Sequence, residues 1–303
     1  MALAVAVVAA IVLAVVLIGG GGGPEKTDTI QVGAAPAGVA VGAGSVWVAN
    51  SDGGTLVRVD PETKKVAGRP ASVGEQPEYV AYGDNALWVT SGLGSRVARV
   101  DARTGRLVKT VIAGIEPTGI AVGAGAAWVA DSVERNVRRI DTRTNRVVGR
   151  PIRVGSAPEG VAFGEGAVWV ANYGDATVSR IDPASNRVVA RIRVGNGPAD
   201  VAVGEGAVWV TNISDQSVVR INPATNRADE PIKLGGAPGG LAAGDGSVWV
   251  VNASDSTLQQ IDPGDDKVAE TVDVGTHPAA VAVGEGAVWV AVSGANAVVR
   301  VEP

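Results

Sequence analysis

The chain has 303 residues, a formal net charge of −5, no cysteine, one histidine, 42 glycines, 16 prolines and 7 tryptophans. Without cysteine there is no disulfide framework, thiolate nucleophile or Cys-ligated metal centre, and a single imidazole excludes any site built on two. The acidic balance lacks the basic field on which nucleic-acid binding rests, so no nucleic acid is expected as a partner.

Residues 1–18 (MALAVAVVAAIVLAVVLI) are apolar throughout. As a helix rising 1.5 Å per residue they would cover about 27 Å, close to the hydrocarbon thickness of a bilayer. The segment is predicted to be a transmembrane helix kept as an anchor. A signal peptide cleaved within Gly19–Gly23 is the alternative, although no basic residue leads the segment and no clear small-x-small cleavage site follows it. Residues 19–28, opening with five glycines, read as a flexible linker.

Everything after the linker is one repeated unit. Trp47, Trp88, Trp128, Trp169, Trp209, Trp249 and Trp289 recur every 40 or 41 residues. A proline stands eleven residues before each tryptophan, from Pro36 to Pro278, and a glycine three residues before each proline. Within 195–234, Asp200–Val203 reads as a short inner strand, Ala207–Asn212 as a second and Ser217–Asn222 as a third. A fourth follows over 231–234, and no helical period intervenes. Four short strands repeated at this period are the blades of a β-propeller, whereas helical solenoids are excluded. The prediction is therefore an all-β, seven-bladed propeller of four-stranded blades over 29–303. The last unit stops after its third strand, and strand 29–33 precedes the first unit, so the two chain ends complete one blade and leave no unpaired edge at the seam.

The tryptophans are expected to fill the space between blades as these splay outward. Asn50, Asn172, Asn212 and Asn252, with Asp52, Asp175, Asp215 and Asp255 close behind, read as turn residues bonding their own backbone. Lys65, Arg106, Arg146, Arg187, Arg227 and Lys267 share one hairpin position and read as a solvated ring of positive charge.

The run Val208-Trp209-Val210-Thr211-Asn212, followed by Arg220-Ile221-Asn222-Pro223-Ala224-Thr225-Asn226, resembles the YVTN-type propeller repeat with Trp in place of Tyr. The resemblance extends from about Thr29 to the end. It implies the propeller fold and a superfamily of surface-layer proteins, sensor domains and enzymes of the virginiamycin B lyase type. Those lyases are seven-bladed propellers that use histidine and glutamate with a magnesium ion to open a lactone. This chain departs from that pattern in offering one histidine, His277.

In a repeat protein the recurring residues are structural, so a site should appear as departures gathered on one face. Around the prolines of the inter-blade loops such departures are Glu78, Glu116, Glu159 and Asp200 on four consecutive blades, with Tyr79 beside the first and His277 on the last. They are the ligand-binding candidates and would place acids at one mouth of the central channel, favouring a cationic small molecule, a cation or a protein segment. Solvated loop tips are the competing reading. No catalytic residue, metal ligand or cofactor is assigned, a divalent cation being the alternative to none. The expected function is that of a membrane-anchored, extracytoplasmic binding or sensor module, held to the membrane through residues 1–18 and monomeric. It would be secreted if residues 1–18 are removed. A metal-dependent lyase or hydrolase and a structural envelope protein are the alternatives.

Overall fold

The computed structural model describes residues 23–303; the apolar segment 1–18 and the linker as far as residue 22 lie outside the described residues. No helix among the described residues is long and apolar enough to cross a membrane. The chain forms seven antiparallel sheets, six with their strands in sequence order and the seventh closed by the first strand of the described chain. In blade 4 the inner strand is Pro158–Gly164, the second Ala167–Asn172, the third Thr177–Asp182 and the outer Arg187–Arg193. In blades 1 and 5 the outer strand is split, at Lys65–Val66 and Ala71–Ser72 and at Arg227–Ala228 and Ile232–Lys233. Pro70 and Pro231 fall in these breaks. Proline has no N–H to give to a ladder, and beyond a strand's first residue only this outermost strand tolerates it.

The ring closes as expected, with one difference. The strand that completes blade 7 runs over Glu25–Gln31 and pairs with Ala297–Glu302, so 25–28 are strand and not linker. Their polarity had suggested linker, but on an outer strand it is paired: Lys64 reaches Asp28 at 2.8 Å, and Arg300 donates to the Thr27 hydroxyl at 3.0 Å.

Each tryptophan sits mid-way along a second strand opposite an alanine, as in Ala40↔Trp47 and Ala162↔Trp169, and packs into the following blade. Trp47 meets Leu87 and Val89 of blade 2, and Trp289 meets Val46 and Val48 of blade 1, so the core runs unbroken round the ring. All seven are fully buried. Each removes roughly 150–250 Å² from water, on the order of 4–6 kcal/mol before entropy is charged. On five blades the indole N–H donates to the carbonyl of the glycine ending the inner strand, at 3.2 Å for Trp47 and Gly42 and 3.1 Å for Trp169 and Gly164, whereas those of Trp88 and Trp249 have no partner among the described residues. That glycine admits no side chain: a Cβ on Gly42 or Gly123 would enter the ring of Tyr82 or Phe163 on the next blade.

On six blades the third strand lays an arginine over the tryptophan, with the guanidinium 5.0–5.9 Å from the ring centre. Four of these arginines continue outward to the next blade's hairpin. Arg180, for example, donates to the Pro223 carbonyl and to Asn226 Oδ1, both at 2.7 Å. The recurring Asn and Asp residues also act between elements, which corrects their reading as local turn formers. Asn50 Nδ2 donates to the Val32 carbonyl at 2.8 Å and Asn212 Nδ2 to that of Val194 at 3.1 Å, while Asp175 and Asp215 accept from the N–H groups of Ser156 and Asn196. They hold the end of the incoming outer strand and the loop behind it, whose backbone groups would otherwise be buried without partners. The basic hairpin ring, Lys65 through Lys267, is exposed as expected.

Candidate functional site

Each inner strand begins at the proline of its Gly-x-x-Pro loop, so seven prolines encircle one mouth of the channel. The third residue after each proline is Val39, Val80, Ile120, Val161, Val201, Leu241 or Val281, and all seven line a single cup of about 480 Å³. These aliphatic side chains form a collar. The second residue after the proline is Gly38, Gly119, Gly160, Gly240 or Ala280 on five blades, because neighbouring inner strands approach closely there. A Cβ on Gly160 would stand 2.8 Å from the Ala199 carbonyl oxygen. On the remaining two blades the same position carries Tyr79 and Asp200. These two departures put a phenol and a carboxylate into the lining of the cup.

Asp200 is fixed on both oxygens. Oδ1 accepts from its neighbour Val201 N–H at 2.8 Å, and Oδ2 accepts from Leu241 N–H of blade 6 at 2.9 Å. Burial pushes its carboxyl up to about 6, against the lowering by those two hydrogen bonds. The Tyr79 phenol makes no hydrogen bond among the described residues. Burial raises it well above its ordinary value, and the charges of Asp200, Glu159 and Glu78 add to the shift, so the phenol stands among the carboxylates. Glu78 lines the cup beside Tyr79 and is raised by burial and then by Glu116. Glu159 is pushed up to about 7, first by burial and then by Glu78 and Glu116. None of the described residues lining the cup is Lys, Arg or His.

The structure thus brings Glu78, Tyr79 and Asp200 together in the cup and leaves Glu159 outside its lining but within electrostatic reach. Glu116 and His277 also lie outside the lining, although Glu116 still acts on the carboxyls of Glu78 and Glu159. Both occupy the residue before the proline, and no residue at that position lines the cup. Ala35, Gln76, Ala157 and His277 take left-handed φ angles of 45–56° there. His277 is exposed, its carbonyl accepting from Ser293 N–H and Oγ. Asp273, the carboxylate nearest it in sequence, instead accepts from Gly275 N–H at 2.9 Å. The collar was not anticipated from the sequence, although its signal was there: every third residue after the proline is Val, Ile or Leu.

A magnesium ion of the lyase kind would need several acid or imidazole ligands side by side. Among the described residues no three His, Asp or Glu side chains are so placed, and the one histidine is outside the cup. The residues present do not fit that group.

No protein-family model and no curated protein matches the chain. Solved structures do. A chain of Kuenenia stuttgartiensis hydrazine synthase aligns at 20% identity and a TM-score of 0.79, over 92% of this chain and 97% of that one. Virginiamycin B lyase from Staphylococcus aureus aligns at 17% identity and a TM-score of 0.79, over 92% and 99%. A streptogramin B lyase aligns at 15% and 0.77, over 91% and 96%. At such identities the likeness is one of architecture, and the chain shares the seven-bladed propeller of virginiamycin B lyase.

Proposed function

We propose that the protein is a binding module that receives a cationic group in the channel-mouth cup. The observation that carries this reading is the meeting in one cup of two acids, the exposed Glu78 and the half-buried Asp200, both with carboxyls raised by desolvation, and the phenol Tyr79, with no cation among the described lining residues. Desolvated carboxylates without a counter-charge are costly and drift toward neutrality. A cationic ligand reverses that drift, and the phenol face offers a second favourable contact to an ammonium. The aliphatic collar beneath suits an organic cation with an apolar end.

The membrane-anchored, extracytoplasmic arrangement belongs to the same proposal, with residues 1–18 as the anchor. The closing strand of blade 7 leaves room for such a tether. Glu25 pairs with Glu302 at the end of blade 7 opposite the cup, while Gln31 pairs with Ala297 at the cup end. A tether leaving from Glu25 therefore lets the cup face away from the membrane.

The test is thermal melting of the full-length protein in a non-ionic detergent with n-butylammonium, with neutral n-butanol at equal concentration, and with Mg²⁺ or Ca²⁺. At 100 times its dissociation constant a ligand stabilises by about 2.7 kcal/mol. Stabilisation by butylammonium alone, lost in Glu78→Gln, is the expected result. An equal effect of butanol, or none with any amine, overturns the reading, and a response to the metals alone replaces it with a metal site.

A further inference from the structure

We propose that the partner is a polypeptide segment that places a lysine or arginine in the cup and an aliphatic side chain on an apolar patch of blades 2 and 3, an inference that rests on the reading of the cup given above. The patch consists of Leu93, Ile112, Ile115 and Val133, each between 53% and 73% exposed. It arises from departures from the repeat. Where blade 2 has Ile112, the other blades have Gln31, Ser72, Arg153, Arg193, Lys233 and Asp273. Where it has Ile115, they have Ala34, Glu75, Ser156, Asn196, Gly236 and Thr276.

The four side chains belong to one spot. Ser95 Oγ donates to the Ile115 carbonyl at 2.7 Å, which draws the inter-blade loop onto the turn carrying Leu93. Ile112 pairs with Arg96 next to that turn. Asp131 accepts from Ile115 N–H at 2.6 Å and from Glu134 N–H at 2.9 Å, which brings the Val133 turn alongside. Single exposed aliphatics are ordinary, but four gathered where the repeat calls for polar or small residues mark a contact surface.

A groove leads from the patch to the cup. It lies between blades 1 and 2, holds about 490 Å³, and is lined by Ser51, Asp52, Glu75, Gln76 and Leu93 among others. Leu93 belongs to the patch at one end, and Ser51 also lines the cup at the other. The groove carries two further carboxylates, and none of its described lining residues is Lys, Arg or His. An extended chain, whose successive side chains point to opposite sides, can follow such a path with its base in the cup and its aliphatic residue on the patch. The two groove carboxylates, with no cation among the described residues lining the groove or the cup, select a basic segment over an acidic one.

The test uses the full-length protein in detergent, calorimetric titration, and four probes: acetylated pentapeptide amides Leu-Ser-Lys-Ser-Leu, Ser-Ser-Lys-Ser-Ser and Leu-Ser-Ser-Ser-Leu, and n-butylammonium. The first peptide should bind at least tenfold more tightly than the other two. Leu93→Ser with Ile115→Ser should bring it down to the level of Ser-Ser-Lys-Ser-Ser without moving the melting temperature or the butylammonium affinity, and Glu78→Gln should bring it down to that of Leu-Ser-Ser-Ser-Leu. Equal binding of the two lysine peptides, with butylammonium still bound, overturns the partner and leaves the cup. Loss of every lysine and amine probe overturns the cup itself. Concentration-dependent dimerisation in sedimentation, abolished by the patch variant, would assign the patch to a second copy and overturn the proposal.

Discussion

Asp200 Oδ2 accepts a hydrogen bond from the backbone N–H of Leu241 at 2.9 Å, so a carboxylate of the channel mouth also ties the inner strand of blade 5 to that of blade 6. The same side chain therefore serves the site and the ring, and both roles favour its ionised form, which desolvation opposes. Ionised, it offers a ligand a full negative charge; buried and unpaired, that charge opposes folding.

This conflict sets a pH dependence. The Asp200 carboxyl is raised from 3.8 to about 6, above its value in an unfolded chain. Its contribution to stability is therefore fully present at low pH and is lost as the pH rises through about 6. The shift corresponds to on the order of 3 kcal/mol. Glu159, raised to about 7, acts in the same direction over a slightly higher window. Asp200→Asn removes its own share of the slope and gives up one of two backbone hydrogen bonds, about 1 kcal/mol. The variant should be less stable than the parent at pH 4 and more stable at pH 8. Urea melts at the two pH values check this, and parallel losses at both would show that the charge is not what matters.

Ligand binding should run the other way. A cation prefers the ionised cup, so butylammonium affinity should rise about tenfold between pH 5.5 and pH 8 and then level off as Glu159 and Asp200 complete their titration. Binding at pH 6.5 should release protons to the buffer. Titration calorimetry in two buffers of different ionisation enthalpy measures that release directly, and a pH-independent affinity would remove these carboxylates from the site.

The parts of the molecule that were readable in the sequence are those that recur. Seven tryptophans in register announce seven blades, and the split of the last blade between Thr29 and Val301 follows from what the first and last units lack. What recurs, however, says little about direction. Glu78 and Glu116 both flank a proline, yet Glu78, after its proline, lines the cup and Glu116, before its own, does not. His277 stands outside for the same reason. The backbone at the loop tip decides this, and composition carries no trace of it. The asparagines were misread because their partners, such as the Val194 carbonyl for Asn212, lie on a different strand 18 residues away.

The glycines beside Tyr79 and Asp200 in the repeat pattern should be intolerant where the blades touch and tolerant elsewhere. A Cβ on Gly119 would meet the Glu159 carbonyl oxygen and the N–H of Val161, both backbone atoms of the next inner strand. Gly119→Ala is expected to cost about 2–3 kcal/mol and to disturb the cup with it. Gly125 has open space around its missing side chain and only a left-handed φ of 69° to defend. Gly125→Ala should cost about 1 kcal/mol and leave butylammonium binding unchanged. Denaturation and binding measured together on both variants separate the two expectations, and equal losses would show that inner-strand contact is not the constraint.

The arginines stacked on tryptophan give the last expectation, because one blade lacks one. Arg180 stacks 5.0 Å over Trp169 and reaches the Pro223–Asn226 hairpin of the following blade. Removing it in Arg180→Ala gives up a cation–π contact and two inter-blade hydrogen bonds, about 2 kcal/mol together. Blade 6 carries Gln260 opposite Trp249, and the blade after it is the one assembled from both chain ends. There the third strand stops at Glu302 and the outer strand starts at Glu25, so no hairpin exists for an arginine to hold. Gln260 instead donates to Ser247 Oγ at 2.8 Å within its own blade. Restoring the consensus in Gln260→Arg should therefore add less than about 0.5 kcal/mol, since stacking alone at an exposed site is worth little. If Gln260→Arg stabilises by as much as Arg180→Ala destabilises, the hairpin is not the partner that matters, and the stacking on tryptophan carries the effect by itself.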